Sequence, residues 1–170
     1  MSTRTTTPVF TASFPQLFEA GGFEGSEPKF SVTMLWDKAE DLSALKAACN
    51  AAIEKKWGSN PPANIQMPVK DGDGKLDSEG KQRPEYAGKK FAIAKAKVQD
   101  PPKVVDLELN PIMDKTVVYG GCEMRAAVSA YAWEFAGKKG VSLYLGNVQR
   151  VGDGEAFGST SSVESDFGAF

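Results

Sequence analysis

Apolar and polar positions alternate along most of the chain and give way to a helical period once. In 29–36 (KFSVTMLW) Phe30, Val32, Met34 and Trp36 recur at period two, the spacing of a strand that buries one face. From Asp41 the period changes. Leu42, Leu45, Cys49, Ala52, Ile53 and Trp57 recur three and four residues apart. The pattern predicts a packed helix over about 41–57, with Asp41 placed to cap its start and Gly58 following its end. A short strand over 8–14 (PVFTASF) is held towards an edge by Pro8. Further strands are predicted over 89–98 and 103–107, and a hairpin over 123–135 and 141–151 through the connection 136–140. Five or six strands with one helix predict a mainly β fold, a small and partly closed barrel.

Two of these strands carry an unusual side-chain distribution. In 89–98 (KKFAIAKAKV) Ala92, Ala94, Ala96 and Val98 point one way and Phe91, Ile93, Lys95 and Lys97 the other. In 123–135, Met124, Ala126, Val128, Ala130 and Ala132 share one face, and Arg125, Ser129, Tyr131, Trp133 and Phe135 the opposite one. An ordinary half-buried strand turns its large apolar side chains inward. Here small apolar residues suit the interior of a narrow barrel, which leaves the cations and large rings on the other face.

The remaining stretches are loop-like. Pro15, Gly21, Gly22, Gly25 and Pro28 mark one loop, and residues 58–88 form a long excursion rich in Gly, Pro, Asp, Asn and Lys. Its Asp71, Asp73 and Asp77 invite a calcium-loop reading, but Lys75, Leu76 and Gln82 stand where such a loop needs an oxygen ligand, a glycine and a glutamate. Turn chemistry accounts for the DGDG run better. After residue 151 the sequence turns to Gly, Ser and acids and is too poor in apolar residues to fold alone. The chain therefore divides into a folded domain, 1–151, and a disordered acidic tail, 152–170.

Composition narrows the chemistry. The 170 residues are 41% apolar and 25% charged, ordinary for one globular domain. There is no histidine, which excludes Ser-His-Asp and Cys-His nucleophile systems and every histidine-containing metal site. Cys49 and Cys122 are the two cysteines, too few for a structural zinc site and expected to stay reduced. No cofactor or metal is implied. No apolar run approaches a membrane span, and the polar N-terminus lacks a secretory signal, so a cytoplasmic location is expected.

Charge is unevenly spread. The net charge of −2 hides a body, 1–150, with 20 basic and 18 acidic groups, followed by 20 residues with four acids and no base. Within 81–97, Lys81, Arg83, Lys89, Lys90, Lys95 and Lys97 face Glu85 alone.

Cations beside flat rings are what single-stranded nucleic acid requires: charge along the phosphates and a π-face under each base. The alternative for Tyr131, Trp133 and Phe135 is that they pack beneath the helix or the long excursion, as aromatic side chains usually do. At the C-terminus, Phe167 and Phe170 offer aromatic anchors beside Glu164 and Asp166, a peptide suited to a partner pocket with a basic rim. The same tail is able to compete with nucleic acid for the basic face. An inert solubilising end is the plainer alternative.

The segments FPQLFE (14–19), EPKFSVTMLWDK (27–38), KKWG (55–58), YAGKKFAIAKAK (86–97) and YGGCEMRAAVSAYAWEFAGKKGVSLYLGNVQRVGDGE (119–155) resemble, in order and spacing, the single-stranded DNA-binding proteins of tailed bacteriophages, a family first catalogued as a domain of unknown function. The resemblance spans nearly the whole chain and lies in collinearity rather than in a catalytic signature. It implies an OB-type barrel that coats single-stranded DNA in phage replication and recombination, and an acidic, aromatic-ended tail that recruits replication proteins or regulates binding. It places Lys89, Lys90, Phe91, Lys95 and Lys97 on the DNA face, with Arg125, Tyr131 and Trp133 beside them, and Phe170 at the tail's terminal aromatic. Two departures stand out: the helix follows the second strand rather than the third, and the tail carries only two carboxylates in its last seven residues.

The partners implied are single-stranded DNA and, through the tail, phage or host replication proteins, with self-association open and no membrane. The competing reading is a structural or scaffold β-barrel protein of the virion without DNA affinity. A metal-dependent nuclease is a third, disfavoured because Asp106, Glu108, Glu123 and Glu134 form no paired motif.

Overall fold

Small side chains set the width of the barrel. The computed structural model describes residues 2–21, 27–74 and 86–154. Its strands are β1 (Arg4–Thr6), β2 (Phe10–Gly21), β3 (Lys29–Asp37), β4 (Lys70–Asp71), β5 (Lys89–Lys97), β6 (Val104–Val105), β7 (Glu123–Phe135) and β8 (Lys138–Gly152), and helix α1 covers Ser43–Trp57. Ala92, Ala94 and Ala96 of β5 and Met124, Ala126, Val128 and Ala130 of β7 are all buried, as the alternation predicts. Val32, Met34 and Trp36 of β3 and Val141, Leu143 and Leu145 of β8 fill the space that the alanines leave.

Five strands close on themselves. β2 pairs with β3 and β3 with β5, both antiparallel; β5 pairs in parallel with β8, and β8 antiparallel with β7. The ring shuts where Phe10 and Thr11 of β2 meet Met124 and Glu123 of β7. This is an OB-like barrel. The helix lies between the second and third barrel strands, as the order of the sequence segments indicates. It buries Leu45, Ala48, Cys49, Ala51 and Ala52. The Asp41 carboxylate accepts the Ser43 N–H at 2.9 Å, and this bond holds its carboxyl below the usual range. Gly58 ends the helix at φ 68°, donating its N–H to Glu54 O at 2.8 Å.

Several boundaries differ from the sequence pattern. The first strand runs on to Gly21, because a break in register between Ser13 and Gln16 absorbs Pro15, with Phe14 at φ 47°. Strand β1 is polar and was not signalled; it adds to β7 through the pairing of Arg4 with Ser129. The hairpin turn narrows to Ala136 and Gly137, both at positive φ, the geometry that matches strand twist. Val98 lies beyond the end of β5 and is exposed rather than inward-facing.

The 58–88 excursion is partly structured among its described residues. Gln66 donates its N–H to Lys139 O (2.9 Å) and accepts from Val141 N–H (2.8 Å), fastening the segment to the hairpin. Four residues on, β4 pairs with the start of β5. Residues 66–71 thus strap the barrel from β8 to β5. Beyond them Gly72–Gly74 makes a 3-10 turn, where Asp73 accepts the Gly88 N–H at 2.9 Å and pairs with Lys38.

Candidate nucleic-acid interface

Strand pairing gathers the outward positions of four strands into one surface. Lys95 stands beside Ser31 on one side and Tyr144 on the other; Lys97 stands beside Lys29. Across β8, Ser142 pairs with Tyr131 and Tyr144 with Ser129. The rings of Tyr131 and Tyr144 have centroids 4.8 Å apart and are tilted by 41°. Each is about two-fifths exposed. Lys97 Nζ lies 5.9 Å from the Tyr144 centroid, within cation–π range.

Trp133 closes one end of this surface. Its Nε1–H donates to Ser142 Oγ at 2.9 Å. Its ring lies against Gly140, where an added Cβ would come within 2.5 Å of the ring. Between Trp133, the 66–70 strap and β5 runs a groove of about 350 Å³ that includes Lys29, Lys95 and Tyr131 in its walls. Further along, Arg4, Lys97, Ser129 and Tyr144 border a second depression of about 400 Å³. Lys29, Lys95, Lys97 and Arg4 form no ion pair among the described residues. The result is an open track with rings in its floor and unpaired cations along it.

The residues singled out from the sequence separate into groups. Lys95, Lys97, Tyr131 and Trp133 come together here. Phe91 needs correction as a stacking ring: it is 6% exposed and meets Tyr86 edge-on at 5.3 Å, in a small cluster with Leu35. Its cross-strand neighbour Leu35 and Tyr86, just ahead of β5, enclose it. Lys89 forms an ion pair with Asp37. Lys90 has the parity of the inward alanines and emerges at the barrel end beside Asp41, away from Lys95. Arg125 shares the parity of Tyr131 but stands six positions along β7, about 20 Å away. It donates from Nε to Gln149 Oε1 at 2.6 Å, in a separate cleft with Lys103. Glu164, Asp166, Phe167 and Phe170, with Lys81 and Arg83, lie outside the described residues.

Sequence reasoning missed Tyr144, Arg4 and Lys29. The signal for Tyr144 was present: in VSLYLGN, Ser142 and Tyr144 alternate with Val141, Leu143 and Leu145, the same arrangement that drew attention to Tyr131. Arg4 carried no such signal, since its strand has no apolar member.

Neither cysteine is poised for chemistry. Cys49 and Cys122 are free and buried, and burial pushes both thiols up, that of Cys49 to about 11. No helix among the described residues is long and apolar enough to cross a membrane.

This geometry has solved counterparts. The chain is similar to the single-stranded DNA-binding protein of bacteriophage Enc34 in complex with ssDNA, at 25% identity over 91% of this chain and 89% of that one, with a TM-score of 0.72. The same phage protein without DNA aligns with a TM-score of 0.71 at 22% identity, over 96% of this chain and 88% of that one. Gp2.5, a single-stranded DNA-binding protein encoded by bacteriophage T7, shares the fold at 17% identity, over 98% and 94% of the two chains, with a TM-score of 0.59. No curated protein matches the sequence. The family model described as "Enterobacter phage Enc34, ssDNA-binding protein" matches residues 3–170. The chain belongs to that family of phage ssDNA-binding proteins.

Proposed function

We propose that this protein coats single-stranded DNA without sequence preference during phage DNA replication and recombination, in the cytoplasm of the infected host. The observation that carries the reading is the Tyr131–Tyr144 ring pair, exposed beside the unpaired cations Lys95 and Lys97 on one barrel face. OB barrels present oligonucleotide sites on the face of their second and third strands. Here those strands are β3 and β5, which supply Lys29, Ser31, Lys95 and Lys97.

Phosphates bind along Lys29, Lys95, Lys97 and Arg4, and bases stack on Tyr131 and Tyr144, with Trp133 at the groove's end. Arg125 and Lys103 line a separate cleft between β6, β7 and β8 and offer a further phosphate contact only to a strand that runs beyond the groove. Lys89, held by Asp37, contributes less. The role requires no bond to be made or broken, and the protein acts as a binder rather than an enzyme. Asp106, just beyond β6, serves structure by accepting the N–H groups of Glu108 and Asn110.

The domain division goes with this reading: residues 1–151 bind DNA, and the acidic tail 152–170 recruits replication proteins or tempers DNA binding through Glu164, Asp166, Phe167 and Phe170. The test is a titration of labelled oligo-dT with full-length protein and with a chain ending at residue 154, which keeps Gly152 of β8 and the Tyr119–Gly154 hydrogen bonds. Binding by both, tighter without the tail, is the expected result; loss of binding on removing the tail contradicts this division.

A further inference from the structure

We propose that the bound single strand does not end in the groove but continues over the 66–71 strap into a second compartment beneath the first turn of α1. This inference rests on the DNA-binding reading above. The compartment is a cavity of about 810 Å³, larger than the groove itself. Its apolar surface comes from Leu42 on the approach to the helix and from Met67 and Val69 on the strap, all of which are half-buried. Lys46, Lys70 and Lys90 bring three cations to it, and none forms an ion pair among the described residues.

Three acids, Glu40, Asp41 and Asp71, share the cavity with four lysines, since Lys38 also lines it, and the Asp41 carboxylate is drawn on by Lys90. Asp41 accepts the Ser43 N–H, and Asp71 pairs with Lys38 at 3.5 Å and accepts the Asp73 N–H. Glu40 has no such partner among the described residues, and the lining as a whole keeps an excess of one positive charge.

Continuity decides what the cavity takes. Met67, Pro68 and Lys70 border both the groove and the cavity, so the strap is a ridge between two parts of one channel. The ridge is fixed at both ends, by Gln66 to the hairpin and by Lys70 and Asp71 to β5. A chain of phosphates leaving Lys95 and Lys29 meets Lys70 on the crest, and then Lys90 and Lys46 beyond it. The cavity combines lysines with aliphatic side chains, and no aromatic residue lines it among the described residues, so it would hold nucleotides mainly through their phosphates, with bases against Leu42 and Met67. Lys90 then belongs to the DNA track, though not on the sheet face where the sequence placed it.

Lys46 separates the two compartments experimentally, because it borders the cavity alone and lies on the exposed side of α1. Full-length protein, Lys46→Glu and the charge-retaining Lys46→Arg are titrated with oligo-dT of about 4 and about 16 nucleotides, the bounds of an OB fold's footprint. Thermal melting verifies that each variant is folded. For Lys46→Glu, the expected result is less than about twofold change on the short strand and about tenfold weakening on the long one, with the log–log salt slope on the long strand smaller by about 0.7. Lys46→Arg behaves as wild type at both lengths. Equal weakening at both lengths, or none on the long strand, overturns the second compartment while leaving the groove intact. Failure of the wild type to bind either strand overturns the DNA-binding reading and this inference together.

Discussion

Tyr131 and Tyr144 are diagonal neighbours across the β7–β8 pair, and their rings touch at 4.8 Å between centroids while both stay open to solvent. Aromatic neighbours on a sheet normally bury one another's faces. This pair is instead bordered by Lys95 and Lys97 on the next strand, with Lys97 over the Tyr144 ring. In the proposed binding mode each ring stacks a base while the neighbouring lysine meets the adjoining phosphate.

Removing either ring should weaken single-strand binding without unfolding the barrel. Tyr131→Ala and Tyr144→Ala are each expected to cost about 1–3 kcal/mol of affinity for oligo-dT. The double variant should lose less than the sum, since each ring supports the other. Anisotropy titrations of the three variants check this; full additivity would show that the contact between the rings is incidental.

Cations act differently from rings, through salt. Lys95→Ala and Lys97→Ala should each reduce the slope of log affinity against log salt by about 0.7, the value for one phosphate contact on a single strand. Lys89→Ala should leave the slope nearly unchanged, because Lys89 already faces Asp37. Titrations at several salt concentrations separate the two classes.

Gly140 positions Trp133. A methyl group at residue 140 would sit 2.5 Å from the indole, so Gly140→Ala must move the ring off its bond to Ser142. The expected outcome is weaker DNA binding and a smaller quench of tryptophan emission on binding. Trp36, 2% exposed, supplies a buried reference emission that DNA should not reach. An unchanged quench in the variant would mean that Trp133 is not in the path.

The barrel interior has no room to spare. Ala94 is fully buried in mid-strand between β3 and β8. Ala94→Leu is predicted to destabilise the fold by about 1–3 kcal/mol or more, by overpacking. Chemical denaturation measures this.

Buried Cys49 links stability to alkaline pH. Its thiol holds its proton to about 11 in the folded chain, whereas an ordinary thiol releases it near 9.0. Between these values the unfolded state binds fewer protons than the folded one, so stability falls as pH rises through that window. Below it, the thiol contributes no pH dependence. Denaturation midpoints between about pH 8 and 11 should decline, and Cys49→Ala should remove part of the slope while lowering stability throughout. The same burial predicts that thiol reagents label Cys49 only as fast as the chain opens.

The fold was legible wherever one face of an element is buried and the other is not. β3, β5, β7 and α1 fall within a residue or two of where their periodicities place them, because burial imposes the period. What escaped were elements whose position depends on a neighbour. β1 has no apolar face and exists because β7 offers an edge; β4 is two exposed residues held by β5.

At the candidate site, parity alone correctly put Lys95, Lys97 and Tyr131 on one side, but it cannot tell a presented ring from a covered one. Phe91 has the right parity and lies under Tyr86. Lys90 has the wrong parity for the sheet face and emerges at the barrel end, where inward positions run out of barrel. Phe91 is covered by a residue distant in the periodic pattern, Tyr86, and no local period encodes such a contact.

The most direct test of the account is anisotropy of a labelled oligo-dT, with a matched duplex in parallel, at low and high salt. The account predicts tight, salt-sensitive binding to the single strand, little to the duplex, and substantial loss in Tyr131→Ala and Lys95→Ala. Equal binding to both strands' forms, or none to the single strand at low salt with and without residues 155–170, would contradict it.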